Sequence, residues 1–189
     1  MKQLLIIGLL FVGFTTWAQE ENVFLDRSFW KENPNLETVK QKITEGNDAT
    51  VFNSNAFDAT VYALLEKADG EVVKHLLSLE GNPIDKKTHD SRIYLHWAAY
   101  AGHTEIVKYL LDKGSSATEL DSHGYTPLAF AANAGQKDKD LYEAFEKHGV
   151  NLLNEKNENG ADLLLLVAPS LSNEEDLAFF TSKGFKLDS

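Results

Sequence analysis

"LHWAAYAGHTEIVKYLLDKG", Leu95 to Gly114, sets two histidines, a tryptophan and two tyrosines beside a glutamate. The cluster reads either as a site of chemistry or as the seam along which one structural unit packs on the next. The surrounding sequence favours the seam. "LHWAAYAG" at Leu95 to Gly102 answers to "LAFAANAG" at Leu128 to Gly135, a shift of 33 with five of eight positions identical. The downstream half recurs as "IVKYLLDKG" ending at Gly114, "LYEAFEKHG" ending at Gly149 and "LAFFTSKGF" around Gly184, with successive end-glycines 35 apart. Upstream, "EVVKHLLSLEGN" from Glu71 repeats the second half, and "VYALLEKA" from Val61 to Ala68 stands in the place of "LHWAAYAG". "LETVKQKITEGN" from Leu36 to Asn47 supplies a half unit before that. A fixed period of about 20 to 50 residues signals a stacked array. The pattern gives about four units with a partial one at the front.

Each unit reads as two short helices and a loop. In "TPLAFAANAG", Thr126 is a good N-cap, Pro127 suits the first helical turn, and the alanines favour helix with a thin profile. The second helix repeats a charge polarity: Glu105 early and Lys113 late, Asp138 and Asp140 early and Lys147 late, Glu174, Glu175 and Asp176 early and Lys183 late. Acids at a helix N-terminus and bases at its C-terminus offset the macrodipole. A single unit of this kind cannot bury its apolar face, and stacking on a neighbour is what buries it. The fold class expected is therefore all-α: a solenoid of stacked helix-turn-helix units with hairpin-like connecting loops.

On these residues the chain resembles the ankyrin repeat family. "DSHGYTPLAFAANAG" from Asp121 is similar to the family's turn-and-first-helix signature, and "GHTEIVKYLLDKG" from Gly102 to its second-helix signature. The resemblance covers residues 36–189, with 19–35 as a lead-in. Aligned on apolar residues, the family's "TPLH" slot falls on Ile93 to His96, Thr126 to Ala129, Ala161 to Leu164 and Ala59 to Tyr62. The last unit ends in "FFTSKGFKLDS", with Phe179, Phe180 and Phe185. Terminal repeats normally present a polar outer face. An apolar one implies further chain or a docked partner, and the protein is expected to be a monomer unless that end docks. The resemblance implies a protein partner held by loop tips and inner helices. The positions it implies are His89, Asp90, Arg92 and Tyr100, then Ser122, His123, Tyr125 and Asn133, then Glu158 and Asn159. Tyr and Arg are the commonest interface anchors, which singles out Arg92, Tyr100 and Tyr125.

The 189 residues are 43% apolar and 25% charged, the balance of a folded domain with a sizeable core. The first eighteen, "MKQLLIIGLLFVGFTTWA", place Lys2 before an apolar run, with Thr16 and Ala18 ahead of Gln19. That is the anatomy of a secretory signal peptide. The run is shorter than the roughly 20 residues a bilayer crossing needs. The mature chain is thus expected to be exported, periplasmic or secreted, without membrane insertion. Cysteine is absent, so packing alone must stabilise it. The formal charge of -11, or -12 once Lys2 is removed, argues against phosphate backbones and anionic lipid as partners.

The chemical readings are weak. His96 falls where the family places a histidine bonded between turns, and His103 follows the first-helix glycine. No carboxylate or cysteine joins them at a zinc-binding spacing. Trp97 and Phe130 occupy equivalent places and read as packing residues, while His89 and His123 fall in turns. None of Ser91, Ser115, Ser116 or Ser122 lies in a G-x-S-x-G elbow. Glu174 and Glu175 are adjacent at a helix start, where the dipole accounts for them. No catalytic residue, cofactor or metal is expected. The leading expectation is a non-enzymatic binding module acting outside the cytoplasm, and the alternative an accessory or protective subunit of a specific extracytoplasmic enzyme.

Overall fold

The computed structural model describes residues 21–187; the expected signal peptide at 1–18 lies outside the described residues. The chain runs as five successive helix pairs: α1 (Arg27–Lys31) with α2 (Leu36–Thr44), α3 (Ala59–Leu65) with α4 (Gly70–Leu77), α5 (Tyr94–Ala101) with α6 (Thr104–Asp112), α7 (Pro127–Asn133) with α8 (Lys139–Lys147), and α9 (Leu163–Val167) with α10 (Glu174–Ser182). No strand is present among the described residues, only an isolated antiparallel bridge between Lys156 and Asp162. First helices stack on first helices, α3 on α5 on α7 on α9, and second helices on second helices, α2 on α4 on α6 on α8.

Side chains fix where the helices begin. Asp58, Thr126 and Asp162 accept from the N–H groups of Val61, Ala129 and Leu165, each satisfying an otherwise unpaired first-turn donor. These caps correct the expected register by one residue in two units. Asp58, not Ala59, begins the first full unit, and Asp162, not Ala161, the last. Apolar residues alone mislead there because their spacing tolerates either start, and the capping carboxylate decides between them. With caps aligned, Tyr62 stands with Trp97 and Phe130. Lys67 stands with Gly102, and both adopt the left-handed region, at φ 53 and 66. Glycine enters it freely, whereas lysine is strained there.

The core forms one continuous cluster from Phe24 to Phe185. It starts before residue 36: Phe24 and Trp30, in the lead-in, are fully buried and stack at 5.7 Å, and the indole N–H donates to the Phe24 carbonyl at 2.9 Å. At the other end, Phe179, Phe180 and Phe185 do not form an outer apolar face. They are buried, with Phe179 and Phe180 packed on Tyr142 of the preceding unit at 5.8 and 5.1 Å. Leu153, Leu165 and Leu187 are exposed at that end.

Ion pairs span the second helices: Lys74 to Glu105 at 2.5 Å, Lys108 to Asp140 at 3.3 Å, Lys139 to Glu175 at 2.8 Å and Lys183 to Glu146 at 2.6 Å. The charges at the helix ends therefore link units as well as offsetting dipoles. A second kind of link is buried between the α3/α4 and α5/α6 units. The Lys86 ammonium donates to Asn82 Oδ1 at 2.8 Å and the Thr50 carbonyl at 2.6 Å, and lies 2.9 Å from Asp58 Oδ2. The same oxygen accepts from the Tyr94 hydroxyl at 2.6 Å. Burial first, and then the Asp58 charge, push the Tyr94 hydroxyl above its ordinary range.

Candidate functional site: the hairpin and first-helix face

The opening cluster resolves into links between units. The Ile93 N–H donates to His96 Nδ1 at 3.3 Å, so the ring proton sits on Nε2 and is donated to the Tyr125 carbonyl of the next unit at 3.1 Å. Burial, the largest influence, lowers His96 to about 4, against the smaller opposing effect of the Tyr125 carbonyl. His103 Nε2 donates backward to the Ala68 carbonyl at 3.0 Å. Both histidines thus serve cohesion.

Before each of α3, α5, α7 and α9 the chain makes a tight hairpin. Three of these close on an amide or carboxylate: Asn53 Oδ1 accepts from Asn55 and Phe57, Asp121 Oδ1 from His123 and Tyr125, and Asn157 Oδ1 from Asn159 and Ala161, all within 2.9–3.1 Å. Thr88 is too short for this and donates instead to the Arg92 carbonyl at 2.6 Å. Asp90 and Ser91 in that loop adopt the left-handed region, at φ 55 and 60. Neighbouring tips dock through the backbone, His89 N–H to Ala56 O at 3.0 Å and Ser122 N–H to Asp90 O at 2.8 Å.

An aromatic row runs along this face. His89 stacks on Phe57 at 4.8 Å, Phe57 meets Tyr62 at 5.6 Å and Trp97 at 5.6 Å, Trp97 stands edge-on to Phe130 at 5.9 Å, and Tyr100 stacks on Phe130 at 5.0 Å. Tyr125 flanks Phe130 at 6.4 Å. Trp97 is buried, Phe130 and Tyr125 are half-buried, and Tyr100 is 39% exposed. Offset and edge-to-face contacts of this kind rigidify the rings that reach the surface.

Of the ten expected contact residues, Ser122, His123, Glu158 and Asn159 are exposed on tips, His89 and Asp90 half-buried there, and Tyr100 and Asn133 exposed on α5 and α7. Arg92 differs: it is turned inward, only 8% exposed. Its Nε donates to Asp121 Oδ2 at 2.8 Å and Nη1 to Asp90 Oδ2 at 2.9 Å, and its guanidinium lies 4.2 Å from the Phe130 ring centre and 5.2 Å from that of Trp97. A guanidinium that meets two carboxylates and two ring faces has little left for a partner. It supports the row from behind.

The structure brings His89, Asp90, Arg92 and His123 onto one oxygen, Asp90 Oδ2, and leaves Asn133 and Asn159 apart from them. Burial works to raise the Asp90 carboxyl, but the His123 hydrogen bond and the charges of His89, Arg92 and His123 outweigh it and hold the group low. Phe57 and Tyr62 belong to the row and were missed from sequence. Their signal was the alignment on caps, which puts Phe57 in the column of Arg92 and Tyr125. Among the described residues no three His, Asp or Glu side chains are arranged to hold a metal ion, and no helix is long and apolar enough to cross a membrane.

The family described as "Ankyrin repeats (3 copies)" matches residues 31–117 and again 60–153. Similar curated proteins carry the name 26S proteasome non-ATPase regulatory subunit 10. The Rattus norvegicus protein is 55% identical over 38 residues, 20% of this chain and 16% of that protein. The Dictyostelium discoideum protein is 41% identical over 64 residues, 33% and 28% of the two. The Homo sapiens protein is 39% identical over 57 residues, 30% and 25%. The matched stretch thus spans less than a third of each relative.

Proposed function

This chain belongs to the ankyrin repeat family, and from that premise we propose that it is an exported, non-catalytic module that holds a protein partner on its hairpin tips and first-helix face. One observation carries the reading: Tyr100, a large ring 39% exposed, lies flat on Phe130 at 5.0 Å and is held by the row beneath it. A rigid aromatic loses little conformational entropy on contact, which is what makes such rings binding anchors. The similar proteins are named as non-ATPase regulatory subunits, and the matched stretches, 38 and 64 residues, have the length of about one to two repeats. That supports a role in holding other proteins and says nothing of which. Export rests on the pattern of residues 1–18.

Tyr100→Ala combined with Tyr125→Ala is expected to leave the far-ultraviolet circular dichroism unchanged while abolishing capture of a stoichiometric partner from an extracytoplasmic fraction. Capture that survives both changes places the binding face elsewhere. N-terminal sequencing of the full-length gene product recovered from the exported fraction should start at Gln19; recovery only inside the cell with Met1 intact would overturn the export reading.

A further inference from the structure

The seam between the α7/α8 and α9/α10 units is joined differently from the two before it. At the earlier junctions the hairpin tips dock through backbone bonds, His89 N–H to Ala56 O and Ser122 N–H to Asp90 O; among the described residues no such bond reaches the tip of 157–161. With caps aligned, Ala129 stands where His96 does, so no ring bond crosses here either. What crosses inside is one contact, from the Thr126 hydroxyl to Glu155 Oε2. The remaining side-chain links lie nearer the surface, from Asn157 to the Tyr125 hydroxyl and in the pairs Lys137–Asp176, Lys139–Glu175 and Lys183–Glu146.

Glu155 lies seven residues before its own helix cap and meets the cap of the preceding unit, as Lys86 meets Asp58 in the first seam. There a cation faces a carboxylate. Here a carboxyl only 9% exposed faces a hydroxyl, whose own acceptor side is taken by the Ala129 N–H at 3.2 Å. A buried carboxylate with a single neutral donor recovers little of the hydration it gives up, whereas the neutral acid gives up far less.

We propose that Glu155 is a proton-dependent latch, which seats α9/α10 on α7/α8 while its carboxyl is protonated and loosens that terminal unit when it ionises. Thr126 faces it from the start of α7. On its own hairpin Lys156 and Glu158 are exposed, Asp162 of α9 accepts from the Leu165 N–H, and no cation acts on Glu155 among the described residues. Burial raises the group above its ordinary 4.5, against the smaller opposing effect of the Thr126 hydrogen bond. The fold therefore favours the neutral acid: the stabilisation is complete below pH 4.5 and is lost as the pH rises through the raised value. The latch acts within the chain and stands independently of what the face binds.

The test compares the full-length protein with Glu155→Gln, which still accepts from Thr126 and does not titrate. In hydrogen exchange read by mass spectrometry, α9 and α10 of the parent should exchange faster relative to the variant as the pH is raised from 4.5 to 7.5, by about threefold or more. Intrinsic rates and the other titrating groups, His96 included, are common to both proteins and cancel. The same ratio for α3 and α4 should stay constant. A ratio at α9 and α10 that does not change with pH overturns the latch, and so does a change spread evenly over the chain. If Glu155→Gln fails to fold, carbon-13 titration of the parent decides: a Glu155 carboxyl midpoint above 4.5 supports the proposal, and one at or below 4.5 contradicts it.

Discussion

Two seams of the same stack are built on different chemistry. Between the α3/α4 and α5/α6 units, Lys86, Asp58, Asn82 and Tyr94 form a network in which every polar atom meets a partner inside. Asn82 Nδ2 also donates to the Leu76 carbonyl at 3.0 Å, and no buried side-chain polar atom among the described residues is left unsatisfied. Between the α5/α6 and α7/α8 units, one neutral histidine, one inward arginine and edge-on rings do the joining. The polar network of the first seam, apart from the part-buried Lys86, lies out of solvent, and rings cross its outer edge, Phe57 to His89 and Trp97. The second leaves ring faces and the Asp90 carboxylate at the surface. The seam that can present a binding face is thus the one whose cohesion rests on aromatic packing, because rings can be half buried and still hold their place, whereas a half-satisfied buried charge cannot.

The largest effect should come from breaking the closed seam. Lys86→Ala leaves the fully buried Asp58 carboxylate without its counter-charge, and the loss should be about 3–5 kcal/mol by urea unfolding. Replacing both partners, Asp58→Asn with Lys86→Met, should recover much of it, since the uncompensated charge and not the pair itself carries the cost. A single variant that unfolds like the parent would show that the network is ornamental. The open seam should instead respond to acid. His96 is ordinarily near 6.5 and is lowered to about 4 in the fold, so the fold holds its neutral form. Its contribution is complete above pH 6.5 and declines as the pH falls from 6.5 toward 4, because the unfolded chain takes up a proton the folded one refuses. The decline is about 1.4 kcal/mol per pH unit, roughly 3 kcal/mol across the window. Between pH 6.5 and 5, His96→Gln should remove this slope from the urea midpoint, and an unaltered slope would place the titration elsewhere.

How far each seam could be read in advance follows from the same difference. His96 is legible because the resemblance places it where a bond to the neighbouring turn is implied, and the structure forms that bond; the His103 bond to the Ala68 carbonyl was not foreseen. The Asp58 to Lys86 link was not legible. Its members are 28 residues apart, belong to one seam only, and so produce no periodic signal. Arg92 was legible as a residue of consequence but not in its direction. A position before a helix cap is normally exposed, and what turns it inward is the Trp97 ring together with the carboxylate of Asp121 and the Phe130 ring, the last two from residues distant in sequence. The one-residue slips at α3 and α9 have a similar source, since a short capping contact decides the start of a helix while apolar spacing tolerates either choice.

The smallest effect belongs to the outer layer, and it tests whether the ranking of the seams is right. Lys108 and Asp140 join α6 to α8 across 3.3 Å, but their side chains are 48% and 68% exposed. Both ions keep most of their hydration, and two long or mobile side chains must be ordered to meet, so Lys108→Ala should cost under about 1 kcal/mol. The loss should shrink further in 0.5 M salt, where the screening length falls to roughly 4 Å. Urea unfolding of parent and variant at low and high salt separates the cases. A loss above about 2 kcal/mol that persists in salt would mean that the second helices, not the buried seams beneath them, hold these units together, and the contrast between a closed and an open seam would then lose its energetic basis.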